Sequence, residues 1–420
     1  MPKFFSADSP CEVKVNILRF LTGEKMAECH TVCKEWHELL LGAPPLRKKE
    51  NIARAKSAAQ LVEEPYARLT SLFEVVKAEV DIDLEQALAT LQKVKENARF
   101  MQLFGGLDQH LAEVVRIEIG IDLEEAKATA QSIDDPYQQV KSLVEVVRVE
   151  VDFDLEQAKA NLQEAKETTR LIEDPFRRSI ALVEVAKVEV DFDLEQAKAN
   201  LQEAKETARL IDSPAWRALA LVEVVKVEVD IDQEIALATL LAVNETIGLI
   251  DSPNYQAKVL VEVVKVEASL DQEQALATLQ EIKEIARLIE DLNYQAGILV
   301  EVVKVEIGID LEQAKETARL IEDPYYLAMA LVEVARVEVD IDSEQAKETL
   351  QEAKEAARLI EKEEEDPYYL DLAKALVEVA RVEVDIDPEQ AKETLQEAKA
   401  TARLIKDPGM RCRAFLELAK

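Results

Sequence analysis

Glycine is scarce, nine in 420 residues, and aromatic residues make up only 5%. A β-rich fold with many tight turns needs more of both, so the composition argues for long helices. Cysteine is scarce too: three of the four lie within Cys11–Cys33 and the fourth is Cys412. That excludes a disulfide framework and fits reduced thiols in a cytosol. Histidine occurs three times, and His110 alone lies beyond residue 50. No uncharged apolar run approaches the roughly 20 residues of a membrane span. The first residues, MPKFFSADSPC, lack the apolar core of a secretory signal. There is no phosphate-cradling glycine loop and no G-x-S-x-G, so no catalysis is expected. Positive charge is also short, and the net charge is −34. Residues 1–50 hold eight Lys/Arg and seven Asp/Glu, leaving 43 basic against 78 acidic residues elsewhere. Such a surface repels phosphate backbones and acidic lipid. Nucleic acid and membrane are excluded as partners, and a basic protein is favoured.

What the chain does have is repetition. VEVAKVEVDFD at Val183–Asp193 returns as VEVVRVEVDFD, VEVVKVEVDID and VEVARVEVDID from Val144, Val222 and Val332. Equivalent apolar positions are Leu72, Leu111, Leu143, Leu182, Leu221, Leu260, Leu299, Leu331, Leu376 and Phe415. Successive spacings are 39 residues, except for two of 32 and one of 45. Such a period marks stacked supersecondary units.

The short units reveal the first element. Each lacks the seven residues equivalent to Leu201–Thr207. Leu194, Ala197, Leu201, Ala204, Ala208 and Ile211 form a helical seam. Removing seven residues drops about two turns and rotates the face by only about 20°. Asp193, with Gln196 three positions on, is a helix start. The Asp-Pro pairs Asp174-Pro175, Asp323-Pro324, Asp366-Pro367 and Asp407-Pro408 open the second element, antiparallel to the first across a short turn. This second element admits two readings. As a helix from Pro175 it places Glu189, with Glu150, Glu228, Glu338 and Glu383, inside the apolar arc, and it opens near Glu189. As a helix–helix–strand unit, Val188–Asp193 alternates like a strand. The 45-residue unit adds the acidic run Glu361–Asp366, expected as a helix extension into solvent.

ARLIEDPYYLAMALVEVARVEVDIDSEQA, Ala318–Ala346, resembles tetratricopeptide-like repeats of the bacterial and archaeal type; the departure is Val-Asp-Ile-Asp at the turn. The resemblance covers about residues 51–420 and implies a fold rather than a partner. The expected fold is all-α. A short three-helix module precedes a right-handed α-solenoid of antiparallel helix pairs, about nine to ten repeats over 51–420.

Residues 9–41, SPCEVKVNILRFLTGEKMAECHTVCKEWHELLL, do not share the repeat. Three short amphipathic helices fit them, and the Gly-, Pro- and Lys/Arg-bearing stretch 42–50 is a linker. Pro10, Glu12, Val13, Ile17, Leu18, Leu21, Met26, Val32, Cys33, Lys34 and Trp36 resemble the F-box pattern in order and spacing. Ser9 stands where F-boxes usually have Leu. The resemblance implies docking on a Skp-family adaptor and, through it, a cullin. Pro10, Glu12, Val13, Ile17, Leu18, Leu21, Val32, Cys33 and Trp36 would be the adaptor-binding residues. The other reading of this module is a cap on the solenoid. Zinc on Cys29, Cys33 and His37 lacks a well-placed fourth ligand, and the DxD turns lack EF-hand spacing. No metal or cofactor is expected.

The residues after each Asp-Pro vary most between copies, and nearly every copy offers an aromatic. Tyr137, Phe176, Arg177, Arg178, Trp216, Arg217, Tyr255, Tyr294 and Tyr325 are therefore target-binding candidates, with packing between units as the alternative. The functional expectation is a substrate-recognition subunit of a cullin–RING ubiquitin ligase in eukaryotic cytoplasm. The host cytosol is the setting if the chain is a bacterial effector. The alternative is a helical-repeat scaffold without a ubiquitin connection.

Overall fold

A computed structural model describes residues 84–100, 107–362 and 366–406, with single positions at 56, 72, 73, 75–77, 79, 80 and 414. The F-box-like segment 1–41 and linker 42–50, with every adaptor-binding candidate from Pro10 to Trp36, lie outside the described residues. The chain divides into two compact units, Met1–Asp193 and Leu194–Lys420.

The first unit contains α1 (Leu84–Phe100), α2 (Leu107–Ile119), α3 (Leu123–Gln131), α4 (Pro136–Glu150), α5 (Leu155–Thr169) and α6 (Pro175–Glu189). The second contains α7 (Leu194–Ala208), α8 (Pro214–Ile231), α9 (Gln233–Ile247), α10 (Pro253–Leu270), α11 (Gln272–Ala286), α12 (Leu292–Glu306), α13 (Leu311–Ala318), α14 (Pro324–Ile341), α15 (Ser343–Arg358), α16 (Asp366–Ile386) and α17 (Pro388–Leu404). The described residues contain no strand, so the strand reading of Val188–Asp193 is corrected: α6 is helical through Glu189. Within each unit the described residues form an all-α solenoid in which consecutive helices pack as pairs.

Two kinds of helix alternate. A helices follow a turn ending in Asp, most often Asp-x-Asp, and from α4 onward B helices follow an Asp-Pro, Ser-Pro or Asp-Leu step. Within each unit a B helix packs on its neighbouring A helices and on the adjacent B helices, as α4 does on α2 and α6, and α10 on α8 and α12. B helices are therefore buried over a wide arc: Leu182, Val183, Val185, Ala186 and Val188 all lie in the core. A helices bury only a seam, such as Ala158, Leu162 and Ala165. Truncating one of these core leucines to Ala costs about 2–5 kcal/mol.

The missing heptads fall in the A helices. α3 has 9 residues and α13 has 8, where α5 has 15. In the Asp-x-Asp turn the second Asp both closes one helix and caps the next. The Asp154 N–H donates to the Glu150 carbonyl at 2.8 Å, closing α4, while the Asp154 carboxylate accepts from the Gln157 N–H at 3.1 Å, capping α5. Asp232, Asp271, Asp310, Asp342 and Asp387 do the same. That is why the second Asp recurs where an ordinary turn would use glycine. The acidic insertion lengthens α15 little. A 3-10 turn spans Leu359–Lys362, and α16 starts early, at Asp366.

Candidate protein-binding face

Each B helix carries a Glu and, three residues on, a Lys or Arg. On packed B helices these become a ladder. Lys226 Nζ lies 2.6 Å from Glu223 on its own helix and 2.7 Å from Glu262 on the next. Lys265 bridges Glu262 at 2.9 Å and Glu301 at 3.0 Å, and Lys304 meets Glu301 at 2.7 Å. In the first unit Arg116 joins Glu113 and Glu145 at 2.8 and 3.1 Å, and Arg148 reaches Glu184 at 2.7 Å. Burial alone would raise the Glu262 carboxyl. The ammonium groups of Lys226 and Lys265 outweigh it and hold Glu262 below the usual carboxylate range. The same balance lowers Glu184 and Glu301.

A second row is buried. In the second unit buried glutamates of the B helices are matched by lysines of the A helices. Glu228 pairs with Lys205 at 2.7 Å, Glu306 with Lys283 at 2.8 Å, Glu338 with Lys315 at 2.5 Å and Glu383 with Lys354 at 2.7 Å. A Thr or Asn eleven residues on supplies another contact. Thr394 donates to Glu383 at 2.6 Å, and Asn161 donates to Glu150 at 2.5 Å. Glu267 departs from this scheme. Asn244 occupies the position of the lysine, and Glu267, 4% exposed, has no salt-bridge partner. Burial pushes its carboxyl up. The Thr278 hydrogen bond opposes this, and the charges of Glu281 and Asp271 add to it.

The target-binding candidates all lie at B-helix starts. In the first unit the Arg177 guanidinium sits 5.7 Å from the Tyr137 ring centroid and 3.7 Å from the Asp135 carboxylate. Lys141 approaches the same ring at 5.6 Å. Tyr137 also packs on the core, and burial raises its hydroxyl pKa, with Glu184 adding to that and Arg177 opposing it. Phe176 and Arg178 are half-buried.

In the second unit Trp216 and Tyr255, 41% and 45% exposed, have ring centroids 6.5 Å apart. Lys258 Nζ stands 5.9 Å from the Trp216 ring. The Tyr294 hydroxyl donates to the Asn254 carbonyl at 3.2 Å, tying α12 to α10. Tyr325 meets Tyr326 edge-on at 5.5 Å and packs on the core. Arg217 is committed locally: its Nε and Nη2 donate to the Ile211 carbonyl at 3.0 and 2.7 Å, closing the end of α7.

A cavity of about 560 Å³ opens on this face, between Lys258 and Glu262 of α10, Tyr294 and Gly297 of α12, and Tyr326 of α14. Gly297 makes the room. Equivalent B-helix positions carry Leu219, Lys258 and Met329, and a Cβ at Gly297 would meet nothing within 4 Å. Neither Gly297 nor the cavity was among the sequence candidates. The signal available was a glycine at a position that is bulky elsewhere. Among the described residues no group of three or more His, Cys, Asp or Glu is placed to hold a metal. No described helix is long and apolar enough to cross a membrane.

No protein-family model matches the chain, and no curated protein matches it. Solved structures do overlap with it. Ton1535 from Thermococcus onnurineus NA1 is 18% identical over 73% of this chain and 98% of its own, with a TM-score of 0.38. A signal-transduction ATPase with a tetratricopeptide repeat sensor, PH0952 from Pyrococcus horikoshii, is 14% identical over 94% of this chain and 65% of its own, at 0.34. A circular tandem repeat protein is 17% identical over 97% and 89%, at 0.17. Likeness of this degree carries no argument about partners. The repeat architecture rests on the hydrogen bonds and packing above.

Proposed function

We propose that this chain is a protein-binding scaffold whose second unit holds a partner along the B-helix face. The observation that carries this reading is the cavity at Gly297 beside Tyr294 and Tyr326, continuous in the array with the exposed rings of Trp216 and Tyr255. Exposed Trp and Tyr beside a pocket are what anchor protein interfaces, because rigid rings bury much area at little entropic cost. The ion ladder behind them satisfies its own charges, so it fixes the spacing of the rings without demanding a charged partner. Gly297→Met, the residue of an equivalent repeat, fills the pocket on an existing helix. Proteins captured by immobilised full chain, quantified against Gly297→Met and Trp216→Ala, should lose a common subset in both variants. Identical capture by all three ends this reading.

The sequence supports a second, finer reading: residues 9–41 dock on a Skp-type adaptor, and the scaffold presents a target for ubiquitin transfer by other subunits. Its support is the ordered motif Pro10-x-Glu12-Val13, Ile17-Leu18 and Val32-Cys33-Lys34-x-Trp36. Binding of purified adaptor to the full chain, lost in Ile17→Asp/Leu18→Asp, is the expected result. Equal binding of both proteins would falsify it. An intracellular eukaryotic setting, with the chain as a bacterial effector, belongs to this reading.

A further inference from the structure

At Leu241 and Ala242 the helix α9 differs from the other full-length A helices of its unit where they meet solvent, and at Leu237 from all of these but α11, which has Leu276. Leu237, Leu241 and Ala242 stand where α15 has Lys347, Gln351 and Glu352 and α17 has Lys392, Gln396 and Glu397. Leu237 and Leu241 are 49% and 66% exposed. One helical turn apart, they form an apolar strip. Two later pairs of A helices are tied laterally by ion pairs, Arg319 to Glu352 at 2.8 Å and Arg358 to Glu397 at 2.8 Å. α9 has Gly248 at the arginine position, so the bridge it would send to Glu281 of α11 is missing. The register of the bridges in the equivalent repeats sets the Leu237–Leu241 strip on the α11 side of α9.

The same side of the same helix carries Asn244. In α7, α11, α13 and α15 a lysine from this position runs inward to a buried glutamate, and three of these lysines are themselves almost wholly buried. Asn244 is exposed and too short to make that contact, and the buried Glu267 carboxyl is met by no lysine or arginine among the described residues. Three features therefore converge between α9 and α11: two exposed leucines, an unbridged carboxylate at Glu281, and a buried carboxyl without its cation. α9 itself carries Glu234 and Glu245 and no basic residue.

We propose that this face receives an amphipathic helix of a basic partner protein, one of whose lysines enters beside Asn244 and supplies the ammonium that Glu267 lacks. The partner's apolar residues cover Leu237 and Leu241, and its flanking basic charge faces Glu245 and Glu281. Charge selects the occupant. A second copy of a chain with net charge −34, or an anionic lipid surface, is repelled from carboxylates, whereas a lysine-bearing helix is drawn in. The equivalent repeats show that a lysine stem and a glutamate fit together at this depth. This docking face is independent of the B-helix face.

The test is titration of the full chain with a synthetic helical peptide carrying leucines at i, i+3 and i+7 and one central lysine among basic flanks. A second peptide has that lysine replaced by methionine. The lysine peptide should bind at least tenfold tighter than the methionine peptide. Asn244→Lys, which completes the site from within and should stabilise the fold, should weaken lysine-peptide binding at least tenfold. Leu237→Lys/Leu241→Gln, residues already tolerated in α15, should weaken both peptides. Three results overturn the proposal: equal binding of the two peptides, unchanged binding by Asn244→Lys, or no binding at all. A wild-type dimer that Asn244→Lys converts to monomer also overturns it, by making a second copy the occupant.

Discussion

A glutamate inside an apolar arc reads as an error until its partner is found. In the second unit Glu228, Glu306, Glu338 and Glu383 each face a lysine from the preceding A helix. Removing one member of such a pair leaves an unpaired buried charge, at about 3–5 kcal/mol. Lys354→Met should therefore lower the urea-derived stability by that order, and the Lys354→Met/Glu383→Met double variant should recover most of the loss. Asn244→Lys is the opposite case and should stabilise by about 1–2 kcal/mol at neutral pH. The sign of its pH dependence follows from Glu267. Its folded pKa is raised, so in the parent chain it favours folding fully below the ordinary carboxylate pKa, and that contribution is lost as pH rises through the folded value. The advantage of Asn244→Lys should accordingly be largest at pH 7 and shrink toward pH 4. An advantage independent of pH would assign it to something other than Glu267.

At the scale of the helix, the A elements tolerate changes of whole heptads. α3 and α13 are natural deletions of this kind, and both keep their caps and buried alanines. Deleting Leu350–Ala356 from α15 should leave a cooperatively folding chain with correspondingly lower helix content by circular dichroism. Deleting five residues at the same place rotates the seam by about 140°. It should abolish packing of α15 on α14 and α16, with a broadened denaturation transition. B helices have no such freedom, since within each unit they are buried against A helices and against each other. Their amides should be the slowest to exchange with solvent in each unit.

For the molecule as a whole, two carboxylate populations oppose each other. Ladder residues such as Glu113, Glu262 and Glu301 have lowered values. They contribute stability above the ordinary carboxylate pKa and lose it as pH falls through their folded values. Buried residues such as Glu118, Glu267 and Glu306 have raised values and lose their contribution as pH rises. Self-repulsion at net charge −34 acts in the same direction as the second population. The urea midpoint should therefore be higher near pH 5.5 than at pH 7.5 and fall again below about pH 4. A midpoint that stays level from pH 5.5 to pH 8 would show that the ladder dominates, since its contribution is complete above the ordinary carboxylate pKa.

Much of this was legible in the amino-acid order, because it is a matter of period. The seven-residue deletions identified the A helices, and Asp-Pro marked the B starts. The recurring aromatics pointed to the segment where Trp216, Tyr255 and Tyr294 meet. Sequence alone left Val188–Asp193 between helix and strand. The deciding facts were the carbonyl of a buried glutamate accepting from the turn aspartate, and a lysine 23 residues earlier reaching its side chain. Neither has a local signature, because pairing across helices depends on how they stack. Gly297 and Asn244 were visible as letters, but a missing side chain becomes a cavity or an unanswered charge only once its neighbours are in place.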